Sequence, residues 1–175
     1  CIQAMLGVMA NLLNGENCTL VQLGLNSPIV AEPDARPPLS LVVVVDTSGS
    51  MRDAGKMEFV RDGLAQMVNE LRDEDQLALV TYSQRGELAL PLTVMRGQRN
   101  AIHRQVEGLV ADGPTNLHGG LEVAYEHART HYDSGRQNRV LLLSDGQPTA
   151  GITNFDAILA LSRENNRNGI GLTSV

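Results

Sequence analysis

The chain has 175 residues, 42% hydrophobic and 19% charged, a globular balance that excludes a disordered or collagen-like polymer. Lys and Arg total 14 against 20 Asp and Glu, a formal charge of −6, and the aromatics amount to Tyr 3, Phe 2 and Trp 0. With neither a basic footprint for phosphate nor stacking platforms for bases, nucleic acid is excluded as the expected partner. No stretch approaches the roughly 18 consecutive apolar residues of a membrane helix, so no transmembrane segment is expected. The start at Cys1, without Met or a basic n-region, carries no intact signal peptide and reads as a start within a longer protein. Cys1 and Cys18 are too few for a disulfide framework; Cys18 reads as a small buried hydrophobe, and whether the two pair is left open.

Residues 1–38 differ from the rest. Met9 to Leu13 and Thr19 to Leu25, either side of Asn14-Gly15-Glu16-Asn17, predict two short strands around an Asn-Gly turn. Pro28, Pro33, Pro37 and Pro38 then exclude a central strand or a helix, so 26–38 reads as a linker and 1–38 as part of an appended region. From Leu39 strands and helices alternate. Leu39 to Val45 is a near-continuous β-branched run, the mark of a strand buried on both faces. A helix is predicted over 56–72, where Val60, Leu64, Met67, Val68 and Leu71 recur at helical spacing. A strand over 75–83 and a short edge strand over 87–93, broken by Pro91, follow. Helices are predicted at 98–109 and 117–132, a buried strand at 139–144, a helix at 154–166 and a last strand at 170–175. This order predicts an α/β fold for 39–175: a doubly wound, mostly parallel sheet flanked by helices, with one antiparallel edge strand. Because the chain stops on a strand, which would leave an unprotected hydrophobic edge, the natural protein is expected to continue beyond it.

In such sheets ligands bind beyond the carboxyl ends of the central strands, where the strand order reverses. After Val45 stands Asp46-Thr47-Ser48-Gly49-Ser50. Alternate residues of an extended segment face one way, and Gly49 permits a sharp turn, so Asp46, Ser48 and Ser50 can converge. A second carboxylate, Asp145, follows the other central strand, and Thr115 lies between them at the start of a helix. Each has a simpler role available: Thr115, Ser48 and Ser50 could cap helices, and Asp145 could be a turn residue. Their joint placement at neighbouring strand ends favours a common site of hard oxygen donors, suited to Mg²⁺, Mn²⁺ or Ca²⁺.

The segments Val43-Val44-Val45-Asp46-Thr47-Ser48-Gly49-Ser50-Met51, Gly113-Pro114-Thr115-Asn116-Leu117 and Leu142-Leu143-Ser144-Asp145-Gly146 resemble the von Willebrand factor type A (vWA) domain, a Rossmann-like fold. The resemblance covers roughly 38–175 and implies a metal-ion-dependent adhesion site of Asp46, Ser48, Ser50, Thr115 and Asp145, with Mg²⁺ the first choice of ion, and a sixth strand and final helix beyond this chain. Arg36-Pro37-Pro38-Leu39 ahead of the motif is similar to bacterial surface and secreted members, which favours an extracellular or cell-surface location. Two carboxylates only just neutralise a divalent cation and hydroxyls add no charge, so the ion would accept an Asp or Glu carboxylate of a protein partner. The implied activity is non-enzymatic recognition.

An alternative keeps the fold but makes the domain a metal-dependent assembly subunit of a larger complex. Two enzymatic readings are weaker. Asp46-Thr47-Ser48-Gly49 resembles the Asp-Thr-Gly of aspartic proteases, but its Gly falls one position late, there is no second copy, and that fold is all-β. A phosphoryl-transfer enzyme with Asp46 as nucleophile would want a second acid where Ser48 stands. His127 and His131 have helical zinc-site spacing but no third ligand, and read as a solvated helix face. Arg72-Asp73-Glu74-Asp75 reads as an exposed turn, and Met51, Met57 and Met67 as core or loop fillers. Oligomeric state is not legible.

Overall fold

The computed structural model describes the backbone of Ile2–Ala10 and Asn17–Leu25 and the whole of residues 36–175. Cys1, the Asn14-Gly15 turn and the prolines at 28 and 33 lie outside the described residues. The chain divides into two compact units, Cys1–Arg36 and Pro37–Val175. In the first, β1 (Ile2–Ala10) pairs antiparallel with β2 (Asn17–Leu25). The first strand therefore starts seven residues earlier than its predicted Met9. The register sets Ile2 opposite Leu25, Ala4 opposite Leu23 and Leu6 opposite Val21, matching apolar positions along nine residues. That period-2 match outweighs the shorter Met9–Leu13 run.

In the second unit the elements run β3 (Leu39–Asp46), a 3₁₀ segment (Gly49–Gly55), α1 (Lys56–Glu70), β4 (Gln76–Tyr82), β5 (Gly86–Val94), α2 (Arg99–Glu107), α3 (Leu117–Thr130), β6 (Gln137–Leu143), α4 (Phe155–Arg167) and β7 (Ile170–Ser174). The sheet order is β5-β4-β3-β6-β7, parallel except for the β4–β5 pair. The chain builds outward from β3 on one side, then returns to build outward on the other. The carboxyl ends of β3 and β6 are therefore where the strand order reverses, and Asp46 and Asp145 stand there.

Both faces of β3 are sealed. Leu41, Val43 and Val45 point into a core shared with Met57, Leu64 and Val68 of α1 and Ile102 and Val106 of α2. Val42 and Val44 point the other way, against Leu121, Ala124 and Tyr125 of α3 and Ile158 of α4. Period-2 alternation in a strand with no polar residue between 41 and 45 requires this double cover. Burying each such side chain stabilises by about 1.5–3 kcal/mol before chain entropy is counted. Met51 and Met57 are core residues, as read from the sequence, and Met67 is partly buried against them.

Three local features depart from expectation. The strand β5 is nine residues long rather than short, because two register shifts against β4 accommodate Pro91, which has no N–H for the ladder. The displaced Leu92 amide donates instead to Nε2 of His127 at 3.0 Å. His127 is thus half-buried and structural rather than part of a solvated face, and burial, with the neighbouring His131, lowers its pKa and keeps that acceptor nitrogen free. Asp75 belongs to no exposed turn. It is fully buried, and its carboxylate accepts from the Leu39 amide and the Arg72 amide, both at 2.8 Å, while its carbonyl accepts from Met95 at 2.9 Å. One side chain thereby fixes the start of β3 and the end of α1. Its neighbours are less buried, Asp73 exposed and Glu74 partly so, and they pair with Arg99 and Arg72.

Asp75→Ala strands two partly buried amides at once. Hydrogen bonds to a charged acceptor are worth about 1.5–3 kcal/mol each, so a loss of at least that much stability is expected in urea denaturation. An unchanged midpoint would contradict the clamp.

Candidate functional site

The five residues singled out from the sequence come from three loops at the carboxyl edge of the sheet. Asp46, the last residue of β3, has no exposed surface. Its Oδ1 accepts the Ser48 amide at 2.8 Å, and its Oδ2 accepts the Tyr82 hydroxyl at 2.9 Å and the Ser144 hydroxyl at 3.1 Å. All three donors are neutral, and among the described residues Asp46 forms no ion pair. Burial and the adjacent Asp46 carboxylate push the Tyr82 phenol far above its ordinary pKa, so it remains a donor.

From Asp46 a chain of polar contacts runs outward. The Ser48 and Ser50 hydroxyl oxygens lie 3.1 Å apart, and Ser50 Oγ donates to Asp145 Oδ1 at 3.0 Å. Asp145 Oδ2 accepts from Lys56 Nζ at 2.5 Å. Partial burial pushes the Asp145 carboxyl up, but the bonds from Lys56 and Ser50 and the Lys56 charge outweigh it and hold its pKa below the ordinary value. The bond to Asp145 raises the ammonium in turn.

The structure brings Asp46, Ser48, Ser50 and Asp145 together through these contacts. Among the described residues, Thr115 is tied in through its backbone alone. Its amide donates to Thr149 Oγ1 at 3.0 Å, and its carbonyl accepts from the Thr149 and Ala150 amides. Its loop is stitched to the first one by Asp112 N to Thr47 O at 2.6 Å and Gly49 N to Gly113 O at 2.8 Å. The capping roles fail. Asn116, not Thr115, caps α3, its side chain accepting from Gly119 N, and Ser48 precedes the 3₁₀ segment without a side-chain cap bond. These hydroxyls are not consumed by helix ends. Nor does the turn depend on a left-handed Gly49; positive φ falls later, at Ala54 (52°) and Gly55 (73°).

Sequence reading missed Tyr82, Ser144, Lys56 and Thr149. Tyr82 pairs with Asp46 in the parallel register, and Val45 pairs with Leu143, one residue before Ser144. Once β3 is placed between β4 and β6, both positions follow. Tyr82 reaches Asp46 because α3 presents Gly120 to its ring; a Cβ there would stand 2.7 Å from the ring atoms.

The donor set consists of two carboxylates and hydroxyls, all hard oxygens, and among the described residues the buried carboxylate, Asp46, forms no ion pair. This fits a hard divalent cation better than a thiolate- or imidazole-seeking metal.

The family model for the von Willebrand factor type A domain matches residues 41–147. The protein YfbK of Escherichia coli strain K12, described as uncharacterized, is 33% identical over 138 residues, covering 79% of this chain and 24% of that protein. The chain belongs to the von Willebrand factor type A family. Bovine inter-alpha-trypsin inhibitor heavy chain H4 is 28% identical over 124 residues, 67% of this chain and 13% of that one. The pilus adhesin SpaC of Lactobacillus rhamnosus GG shares the fold with a TM-score of 0.67 at 16% identity, across 99% of this chain and 28% of that chain. The vWA chain thus spans about a quarter or less of the length of these relatives. In general, vWA domains serve protein interaction or adhesion. Among the described residues no helix is long and apolar enough to cross a membrane.

Tyr82→Phe removes one of the two donors from Asp46 Oδ2 without changing the ring. The expected cost is about 1.5–3 kcal/mol in chemical denaturation, the range for a bond to a charged group. An unchanged midpoint would mean that Ser144 or water satisfies the carboxylate alone.

Proposed function

We propose that this domain is a non-enzymatic protein-recognition module. In this reading Asp46, Ser48, Ser50, Thr115 and Asp145 hold a divalent cation, Mg²⁺ first, with Mn²⁺ or Ca²⁺ as alternatives. The observation that carries the proposal is the fully buried Asp46 carboxylate, held only by neutral donors and joined through Ser48 and Ser50 to Asp145. A buried carboxylate without a counter-charge is expensive, and a cation at the mouth of the loops offsets that cost.

The bound ion supplies an electrophile for an exogenous carboxylate. The protein does the rest. Asp46 and Asp145 bring two negative charges, which only just neutralise a divalent ion. Ser48, Ser50 and Thr115 add oxygens but no charge, so the loaded site carries no excess negative charge to repel an Asp or Glu of a protein partner. Ser48 stands where a phosphoryl-transfer enzyme would want a second acid, which disfavours that reading of Asp46. Likeness to a pilus adhesin supports an extracellular or cell-surface setting for the recognition event.

The test is a thermal melt of wild type and Asp145→Ala, each stripped with chelator and titrated with Mg²⁺, Mn²⁺ and Ca²⁺. Ligand at about 100 times its dissociation constant stabilises by about 2.7 kcal/mol, which for a domain of this size raises Tm by about 5–10 °C. That rise is expected in wild type and absent in the variant. A folded wild type unmoved by all three ions would overturn the metal reading.

A further inference from the structure

Of the fourteen Lys and Arg residues, thirteen are Arg and one is Lys, and that single lysine, Lys56, sits on the candidate site. It opens α1, directly after the left-handed pair Ala54-Gly55, and this turn brings its ammonium back to Asp145. The contact is close, 2.5 Å, with the lysine side chain 39% exposed and the carboxylate side chain 14%. Its stem borders an apolar cleft lined by Met51, Phe59, Val60 and Leu143, so packing as well as charge positions the head group. Asp145 Oδ1 meanwhile accepts from Ser50, so both oxygens of this carboxylate are engaged within the protein.

An ammonium and a divalent cation repel each other, and Asp145 has one negative charge to offer. An arginine here would grip the carboxylate through two parallel bonds. A lysine is a single, strongly hydrated point charge on a flexible stem and can be displaced. We propose that Lys56 is a tethered counter-ion that competes with the divalent cation for Asp145, so that metal loading and release of the Lys56 ammonium are one event. The proposal rests on the metal reading above and adds how that site is regulated. Without metal, Lys56 keeps Asp145 oriented and stops two neighbouring anions from forcing the loops apart. It also raises the metal concentration at which the site fills.

Two measurements test it. Mn²⁺ binding to full-chain wild type and Lys56→Met is followed by electron paramagnetic resonance and calorimetry. The variant keeps an unbranched apolar stem and loses only the charge, and it is expected to bind about tenfold tighter or more. In the second, wild type is treated with an amine-reactive ester in chelator and at saturating Mg²⁺, at one pH, and modification is read by mass spectrometry of the Lys56 peptide. Because the chain has no other lysine, the signal is specific, and metal is expected to speed Lys56 labelling several-fold. Equal or weaker Mn²⁺ affinity in Lys56→Met, or labelling indifferent to metal, would overturn the counter-ion role and leave the metal reading standing. If neither protein takes up Mn²⁺, Mg²⁺ or Ca²⁺, both fall.

Discussion

The feature on which the remaining arrangement depends is a carboxylate without water. Asp46 ends the central strand of a sheet covered on both faces, and its side chain is sealed from solvent. A charge in that position must be solvated by the protein itself, and the fold meets this need with an amide from its own loop and hydroxyls from the two flanking strands. Those donors can reach it only because β4 and β6 lie in parallel register on either side of β3. Strand order and the electrostatics of one side chain are thus two views of the same constraint.

The loops carry that constraint outward. Backbone bonds stitch the 111–116 loop to residues 47–49, and the Thr149–Thr115 bonds draw in the loop after β6. Three loops from distant parts of the sequence are thereby hydrogen-bonded to one another around the oxygens of Asp46, Ser48, Ser50 and Asp145. Rigid placement of oxygen donors at the point where strand order reverses is what an α/β sheet offers a ligand. Lys56 touches this set at Asp145, and among the described residues Asp46 has no ion-pair partner.

Much of this was legible in the sequence, for physical reasons that can be named. The β-branched run 41–45 permits only a strand buried on both sides, and the helical spacing in 56–71 permits only α1, so the layers followed. The oxygens at 46, 48 and 50 share a side because strands alternate. What escaped depended on contacts across the sheet. Tyr82 reads as an ordinary core aromatic until register sets it beside Asp46. Asp75, in a run of four charges, looks solvated until the start of β3 is found to need an acceptor. His127 looks like a surface residue because a bulge that frees the Leu92 amide leaves no local signature beyond Pro91. Lys56 was visible as the only lysine, yet the nine residues between Asp46 and Lys56, most of them in the 3₁₀ segment, hid its return to the site.

The central claim is that the buried anion at the end of β3 organises a cation site. Its most direct test is a crystal structure of the chain grown with Mn²⁺ and recorded at an energy where manganese scatters anomalously. The account predicts an anomalous peak within coordination distance of the Ser48 and Ser50 hydroxyls, with Lys56 drawn away from Asp145. Saturating Mn²⁺ with no peak there, and Lys56 still seated on Asp145, would contradict it.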